Sequence, residues 1–207
     1  MQGLRVLFGM LCLSMTVTAW PAVSPVPMLE TTAGNMVEIL DKNKAKLKTN
    51  PKIVRQTVRE YLLPHIDVRG MARSVLGRAA WVRASETERA RFTSAFTDLV
   101  VRTYSAPLAE YSNEKIMFLP ERAAPSGRFT RVNSVIIRPS GQKIPLSYSL
   151  VLKKGSWKIY DFSVEGVSLL QSFKTQFGQI LRVSDMNTLI AELEAKSHEK
   201  SYSKEAA

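Results

Sequence analysis

The sequence is poorest in the residues that carry covalent and metal chemistry. Of 207 residues, one is cysteine (Cys12) and two are histidine (His65 and His198). Cys12 falls inside an N-terminal stretch expected to be removed, so disulfide scaffolds, thiol catalysis and cysteine-ligated zinc are excluded for the mature chain. The histidines lie far apart, and His198 sits in a polar tail, which leaves no histidine-rich metal site. A Ser-His-Asp triad would rest on His65 alone, without a Gly-x-Ser-x-Gly elbow to present the serine. Acidic residues are also scarce: 18 Asp and Glu face 29 Lys and Arg, a net charge of +11. No apolar run is long enough to span a bilayer, which takes about 20 residues.

The longest apolar run is the core of a three-part leader. Arg5 precedes an apolar stretch from Val6 to Val17, and Val17-Thr18-Ala19 places tolerated residues at the −3 and −1 positions of a signal peptidase site. Cleavage is expected after Ala19, with Ala22 as the other option. The expected organisation is a signal peptide over 1–19, an extended lead-in over 20–28, one domain over 29–196 and a polar tail over 197–207. About 188 residues suffice for one domain with its own core, so no disulfide or metal staple is needed.

Helical signals come first in the mature chain. Leu29, Ala33, Met36, Leu40 and Leu47 mark an amphipathic helix that turns basic at its end, which suits its dipole. Asn50-Pro51 restarts a helix carrying Ile53, Val54, Val58, Tyr61 and Leu62 as far as Pro64. A third helix is predicted over 66–77, stopped by Gly77. Ser85 and Glu88 form a capping box ahead of Phe92, Phe96, Leu99, Val100, Tyr104 and Leu108. From about residue 114 the period becomes two. Strands are predicted over 115–119, 129–138, 144–153 and 157–164, joined by short turns that imply an antiparallel meander. After Gly166, Ser168 caps a helix with Phe173 and Phe177, and a last helix spans about 185–196. The predicted class is α+β, an antiparallel curved meander sheet of four or slightly more strands packed against N-terminal and C-terminal helices.

Three constellations bear on function. Asp161 and Glu165 flank the end of a strand and could act as acid and base, yet no partner set accompanies them; a turn carboxylate and a cap explain them as well. The cations are spread along the chain rather than clustered with a readout element, and export removes the usual nucleic-acid partners. A basic exterior instead favours anionic membrane surfaces, acidic protein partners or simple solubility. The apolar faces at Phe92–Val100 and Leu146–Leu152 form either a closed core or the lining of a cavity between helices and sheet, and periodicity does not separate the two.

The order of motifs adds a family resemblance. Tyr61-Leu62-Leu63-Pro64-His65-Ile66-Asp67 precedes Val75-Leu76-Gly77, then Arg102-Thr103-Tyr104 and Ile137-Arg138-Pro139-Ser140-Gly141. The most specific stretch runs from Trp157 through Tyr160-Asp161-Phe162 and Glu165-Gly166 to Leu169, then into Phe173-Lys174-Thr175-Gln176-Phe177. Over about residues 29–196 this series resembles the MlaC family, the periplasmic phospholipid-binding component of the Mla (maintenance of lipid asymmetry) system, also called the toluene-tolerance auxiliary family.

The resemblance implies a soluble, non-enzymatic, monomeric carrier in the periplasm, with a phospholipid as cargo and neither cofactor nor metal. Its partners would be an outer-membrane lipoprotein complex and an inner-membrane ABC transporter with a lipid-binding hexamer. Together with the apolar faces it implies acyl-chain contacts at Val75, Leu76, Phe92, Phe96, Leu99, Leu146, Tyr148, Leu150 and Phe162, in an apolar cavity between sheet and helices. The family often has Tyr-Arg where this chain has Phe173-Lys174, which lacks that hydroxyl and guanidinium fork. The alternative is an exported interaction module with a closed core, whose basic surface docks an acidic partner or a membrane face.

Overall fold

The computed structural model describes residues 23–121, 125 and 127–199. The expected leader and both possible cleavage positions lie outside them. Helix α1 (Val26–Leu47) begins within the stretch expected to be extended. Pro27 sits in its first turn, where a missing N–H costs nothing because the first donors of a helix are unpaired anyway. Leu29, Thr32, Leu40 and Leu47 form its buried stripe, and Lys44 and Lys46 occupy its last turn.

Helix α2 (Pro51–Thr57) starts at the predicted Asn50-Pro51 step. The Asn50 side chain makes no cap hydrogen bond; its carbonyl instead accepts from the Ile53 amide at 3.2 Å. The chain then widens into a π-helical turn over Val58–Leu62 and tightens into a 3-10 turn over Leu63–His65. Pro64 lies just beyond the widened turn. It has no N–H for the carbonyl four residues back, and its ring crowds that carbonyl.

Helix α3 (Val68–Arg83) is capped by Asp67, whose side chain accepts from the Gly70 amide at 3.1 Å. Gly77 does break it, at φ 75° and ψ 161°, but helical geometry resumes beyond the break and continues to Arg83. Trp81, in that added segment, is buried beneath the guanidinium groups of Arg69 and Arg89 at 5.7 and 5.6 Å from its ring. Arg89 Nε also donates to the Trp81 carbonyl at 2.8 Å, which ties the end of α3 to the start of α4. Helix α4 (Glu86–Ala109) opens on the expected capping box: the Glu88 amide donates to Ser85 Oγ at 3.2 Å, and the Ser85 amide to Glu88 Oε2 at 2.8 Å.

The sheet is an antiparallel meander of five strands in sequence order. They are β1 (Lys115–Phe118), β2 (Phe129–Ile137), β3 (Lys143–Lys153), β4 (Ser156–Val164) and β5 (Val167–Ser168). Two-residue loops join β3 to β4 and β4 to β5, at Lys154-Gly155 and Glu165-Gly166. All four of these residues have positive φ, the geometry whose twist matches paired strands. The two-residue β5 adds to the predicted four strands and is too short to show a period. The register of β3 against β4 shifts between Ser149 and Leu150, where Tyr160 is the extra residue of a bulge. Ser168 then caps α5 (Leu169–Val183), and α6 (Met186–Glu199) closes the described chain.

The core has three parts. Leu29 of α1 packs with Val132, Tyr148, Leu150, Trp157 and Ile159 on one face of the sheet. The helices α3, α4, α5 and α6 enclose a second cluster centred on Phe92, Phe96, Phe173 and Phe177. Leu40, Leu47, Val54, Val58 and Val101 join α1, α2 and α4. Among the described residues no helix is long and apolar enough to cross a membrane.

Two glycines test this account. A Cβ at Gly70 would lie 1.9 Å from Asp67 Oδ2, so Gly70→Ala must displace the capping carboxylate. Gly77→Ala would force a side chain into a backbone region that is essentially glycine's own. Each is expected to lower stability by about 1–3 kcal/mol in urea unfolding. Gly34→Ala, with open space around it in mid-helix, should be neutral or stabilising.

Candidate functional site

The residues assigned to acyl-chain contact divide between two of the core clusters. Val75 and Leu76 from α3 and Phe92, Phe96 and Leu99 from α4 belong to the helical cluster. Tyr148 and Leu150 belong to the sheet cluster, with Leu146 packed at its margin. Phe162, on β4, packs against both. Ile66 does the same from the segment before α3, so these two side chains mark the seam between helices and sheet.

Aromatic rings dominate the helical side. Phe92 and Phe96 lie parallel at 5.9 Å, and Phe177 meets them edge-on at 5.8 and 6.0 Å. Phe173 stands edge-on to Phe96 at 5.3 Å. Such edge-to-face pairs contribute about 0.5–1.5 kcal/mol beyond area burial. On the sheet side Tyr148 contacts Phe118 at 5.8 Å and Phe162 at 5.6 Å. Phe92 and Leu150 have no exposed surface, so protein atoms surround both. Leu99 and Tyr104 are half-buried at the edge of the helical cluster, Phe118 and Leu146 at the edge of the sheet cluster, and Phe162, also half-buried, borders both.

Two phenols stand at the edges of these clusters. Burial pushes the Tyr148 phenol above its ordinary range, partly opposed by the Ser134 hydroxyl, which donates to it at 3.5 Å. Burial raises Tyr104 as well, and the Asp161 carboxylate adds to the effect. Both stay protonated at neutral pH, so the seam is apolar with hydroxyls at its edge. Asp161 accepts from Ser168 Oγ at 2.6 Å and from the Leu170 amide at 2.9 Å, a role in starting α5. Glu165 sits in the β4–β5 turn. His65 lies beyond the π-helical turn, its pKa lowered by burial and then by Lys158. Among the described residues no group of three His, Cys, Asp or Glu is placed to hold a metal.

Two surface clefts flank these clusters. One, of about 450 Å³, runs between α1 and the 58–65 turns and is lined by Met28, Thr32, Tyr61 and His65 among others. The other, of about 580 Å³, lies at the β3–β4 hairpin and carries Arg128, Lys153, Lys154 and Lys158. None of the assigned acyl-chain contacts lines either cleft. Phe173 and Phe177 are central to the helical cluster and Ile66 to the seam, and none of the three was among those assignments. The strongly amphipathic α5 was the available signal for the phenylalanines; Ile66 has no local one.

A meander sheet with α1 on one face, joined through a phenol-edged apolar seam to a four-helix cluster, defines an α+β class of domain. The same fold occurs in the phospholipid-binding protein of Ralstonia solanacearum, solved in complex with a phospholipid: TM-score 0.76, 23% identity, covering 84% of this chain and 96% of that one. The sequence pattern of the MlaC protein family matches residues 30–195, and the chain belongs to that family. It is 29% identical over 182 residues to the intermembrane phospholipid transport system binding protein MlaC of Haemophilus influenzae, covering 86% of this chain and 85% of that one. It is 26% identical over 161 residues to the toluene tolerance protein ttg2D of Pseudomonas putida, with coverages of 78% and 74%.

The seam and the ring cluster differ in how much the fold depends on them. Phe96→Ala is expected to cost about 3–5 kcal/mol, the range for a buried ring deleted from a packed core. Leu99→Ala, one turn along the same helix but half-buried, should cost about 1 kcal/mol. Urea titration followed by Trp fluorescence measures both; equal losses would refute the distinction between ring cluster and margin.

Proposed function

We propose that this protein is a periplasmic phospholipid carrier, whose cargo places its acyl chains at the seam between helices and sheet. The observation that carries the reading is the half-buried apolar margin at Leu99, Leu146 and Phe162, found in a fold shared with a phospholipid-bound protein. Val75, Leu76, Phe92, Phe96, Tyr148 and Leu150 would form the walls behind that margin. Removing two acyl chains from a bilayer, roughly 30 methylenes at about 0.8 kcal/mol each, costs on the order of 24 kcal/mol. An apolar chamber offsets that cost by binding alone, so the carrier has no need of a catalytic group.

The seam suits such a chamber mechanically. Helix α4 packs chiefly on α6, α2 and α3, while α3 and α5 reach β4. Parting α3 and α5 from β4 would open the seam at Phe162 and, with α4 moving alongside α5, leave the ring cluster intact. Shuttling would then run between an inner-membrane ABC transporter complex and an outer-membrane lipoprotein complex, with the energised partner setting the direction. The complete burial of Phe92 and Leu150 favours a second reading, a closed-core exported module that docks through its basic surface.

Native mass spectrometry of protein purified without detergent, followed by lipid extraction, separates the two. The carrier reading expects a bound diacyl phospholipid at defined stoichiometry. It expects Leu99→Glu to lower that occupancy at least tenfold with the circular dichroism spectrum unchanged. Protein that is lipid-free and stays so after incubation with phospholipid vesicles overturns the carrier and leaves the closed-core module.

A further inference from the structure

Near the β3–β4 hairpin, one face of the sheet brings exposed cations beside an exposed aromatic ring. Phe129 of β2 stands opposite Val151 of β3, which stands opposite Lys158 of β4, so all three side chains project from one face. Arg131 and Lys153 follow two residues along their strands and share that face. Lys154 occupies the hairpin turn, and Arg128 precedes β2, where its carbonyl accepts from the Leu152 amide at 2.8 Å.

Among the described residues two carboxylates approach this surface, and both are engaged. Asp67 is paired with Lys153 and caps α3. Asp161, in register with Ser149 and Arg131, accepts from Ser168 Oγ and the Leu170 amide. Lys158 is half-buried and donates to the Pro64 carbonyl at 2.7 Å, whereas Arg128, Arg131 and Lys154 are exposed and, among the described residues, meet no carboxylate. Phe129 is 63% exposed, and its ring is steadied edge-on against Tyr160 at 5.9 Å. A lone exposed apolar side chain is ordinary, but one ringed by uncompensated cations matches the chemistry of a lipid–water interface.

We propose that this face docks the protein on the surface of an anionic phospholipid bilayer, with Arg128, Arg131 and Lys154 at the phosphates and Phe129 in the interfacial layer. Charge complementarity and the ring together select the bilayer over an acidic protein. Headgroups rearrange laterally to meet scattered cations, and the interface accepts a protruding ring without a matching pocket. The docking is a surface association, separate from acyl-chain binding at the seam.

The test is vesicle flotation of the full protein with liposomes of phosphatidylethanolamine and phosphatidylglycerol, against liposomes of phosphatidylcholine alone. The wild type should float with the anionic vesicles, stay behind with the neutral ones, and be released as salt rises toward about 0.5 M. The triple variant Arg128→Ala, Arg131→Ala, Lys154→Ala should lose partitioning on the order of 100-fold, and Phe129→Ser about tenfold. A control triple of equal charge loss, Lys46→Ala, Lys52→Ala, Lys115→Ala, should stay within about threefold of wild type. Unchanged melting temperatures show that each variant folds.

A wild type that does not float with anionic vesicles overturns the proposal, as does equal flotation with neutral ones or equal loss in the two triples. Flotation and lipid occupancy are read separately. A protein that floats but carries no lipid would retain the docking face and end the carrier reading, and the reverse result would do the opposite.

Discussion

The hydrogen bond from the Asp67 amide to the Ile159 carbonyl, at 2.8 Å, is the joint on which the two halves of the molecule turn. It sits beside a parallel bridge between Ile66 and Ile159, so a segment from the N-terminal helices covers part of the β4 edge. The same aspartate uses its side chain twice, capping α3 through the Gly70 amide and pairing with Lys153 at the end of β3. One residue thereby starts a helix, covers a sheet edge and neutralises a strand-end cation. Gly70 is required for it, because any Cβ there would occupy the space of the carboxylate.

The bulge at Tyr160 follows from that joint. Up to Ile159, β4 has Ile66 on its free edge; from Ser163 onward it has β5. Tyr160 falls between these two partners and is the residue the register shift leaves over. A bulge bends its strand and increases the local twist. Here it lets Ile159 serve the sheet cluster while Tyr160 packs on the helical one, and Phe162, beyond it, contacts both. The seam exists because the sheet turns a corner at that point.

Much of this was legible in the sequence wherever the cause was local. The Ser85–Glu88 box, the Ser168 cap, the Pro51 start and the break at Gly77 each depend on neighbours in the chain, and each stands where the pattern placed it. The alternation along β3, by contrast, gives way to a buried run at Tyr148, Ser149, Leu150 and Val151, where both faces are covered. The helical stretch beyond Gly77 was missed because its stabilising contacts come from Arg69, on the far side of the break in α3, and from Arg89 of α4. The start of α1 was misplaced because Pro25-Val26-Pro27 reads as extended until a helix is known to follow. For the candidate site, the apolar stripe on α4 was evident, but not the difference within it: Phe96 is sealed by Phe173 and Phe177 from α5, while Leu99 remains half-buried. Periodicity reports that a face is apolar and is silent about what covers it.

The arrangement also separates two demands that conflict in any carrier of apolar cargo. A chamber must be apolar enough to hold acyl chains, yet a protein that exposes such a surface aggregates. In this chain the apolar side chains close upon one another, the ring cluster on the helical side and Tyr148 with Leu150 on the sheet side, and the half-buried margin between them is edged by neutral phenols. Exposed positive charge gathers toward the β3–β4 hairpin, at Arg128, Arg131 and Lys154, where Phe129 stands beside the buried Val151. The alternation of a β-strand makes this separation possible: Leu150 and Val151 are adjacent in sequence, and they point to opposite sides of the sheet. Both side chains are buried, so the strand is covered on each side at its centre, and the exposed cations stand at its border, on Arg131 of β2 and at Arg128 and Lys154 by the hairpin.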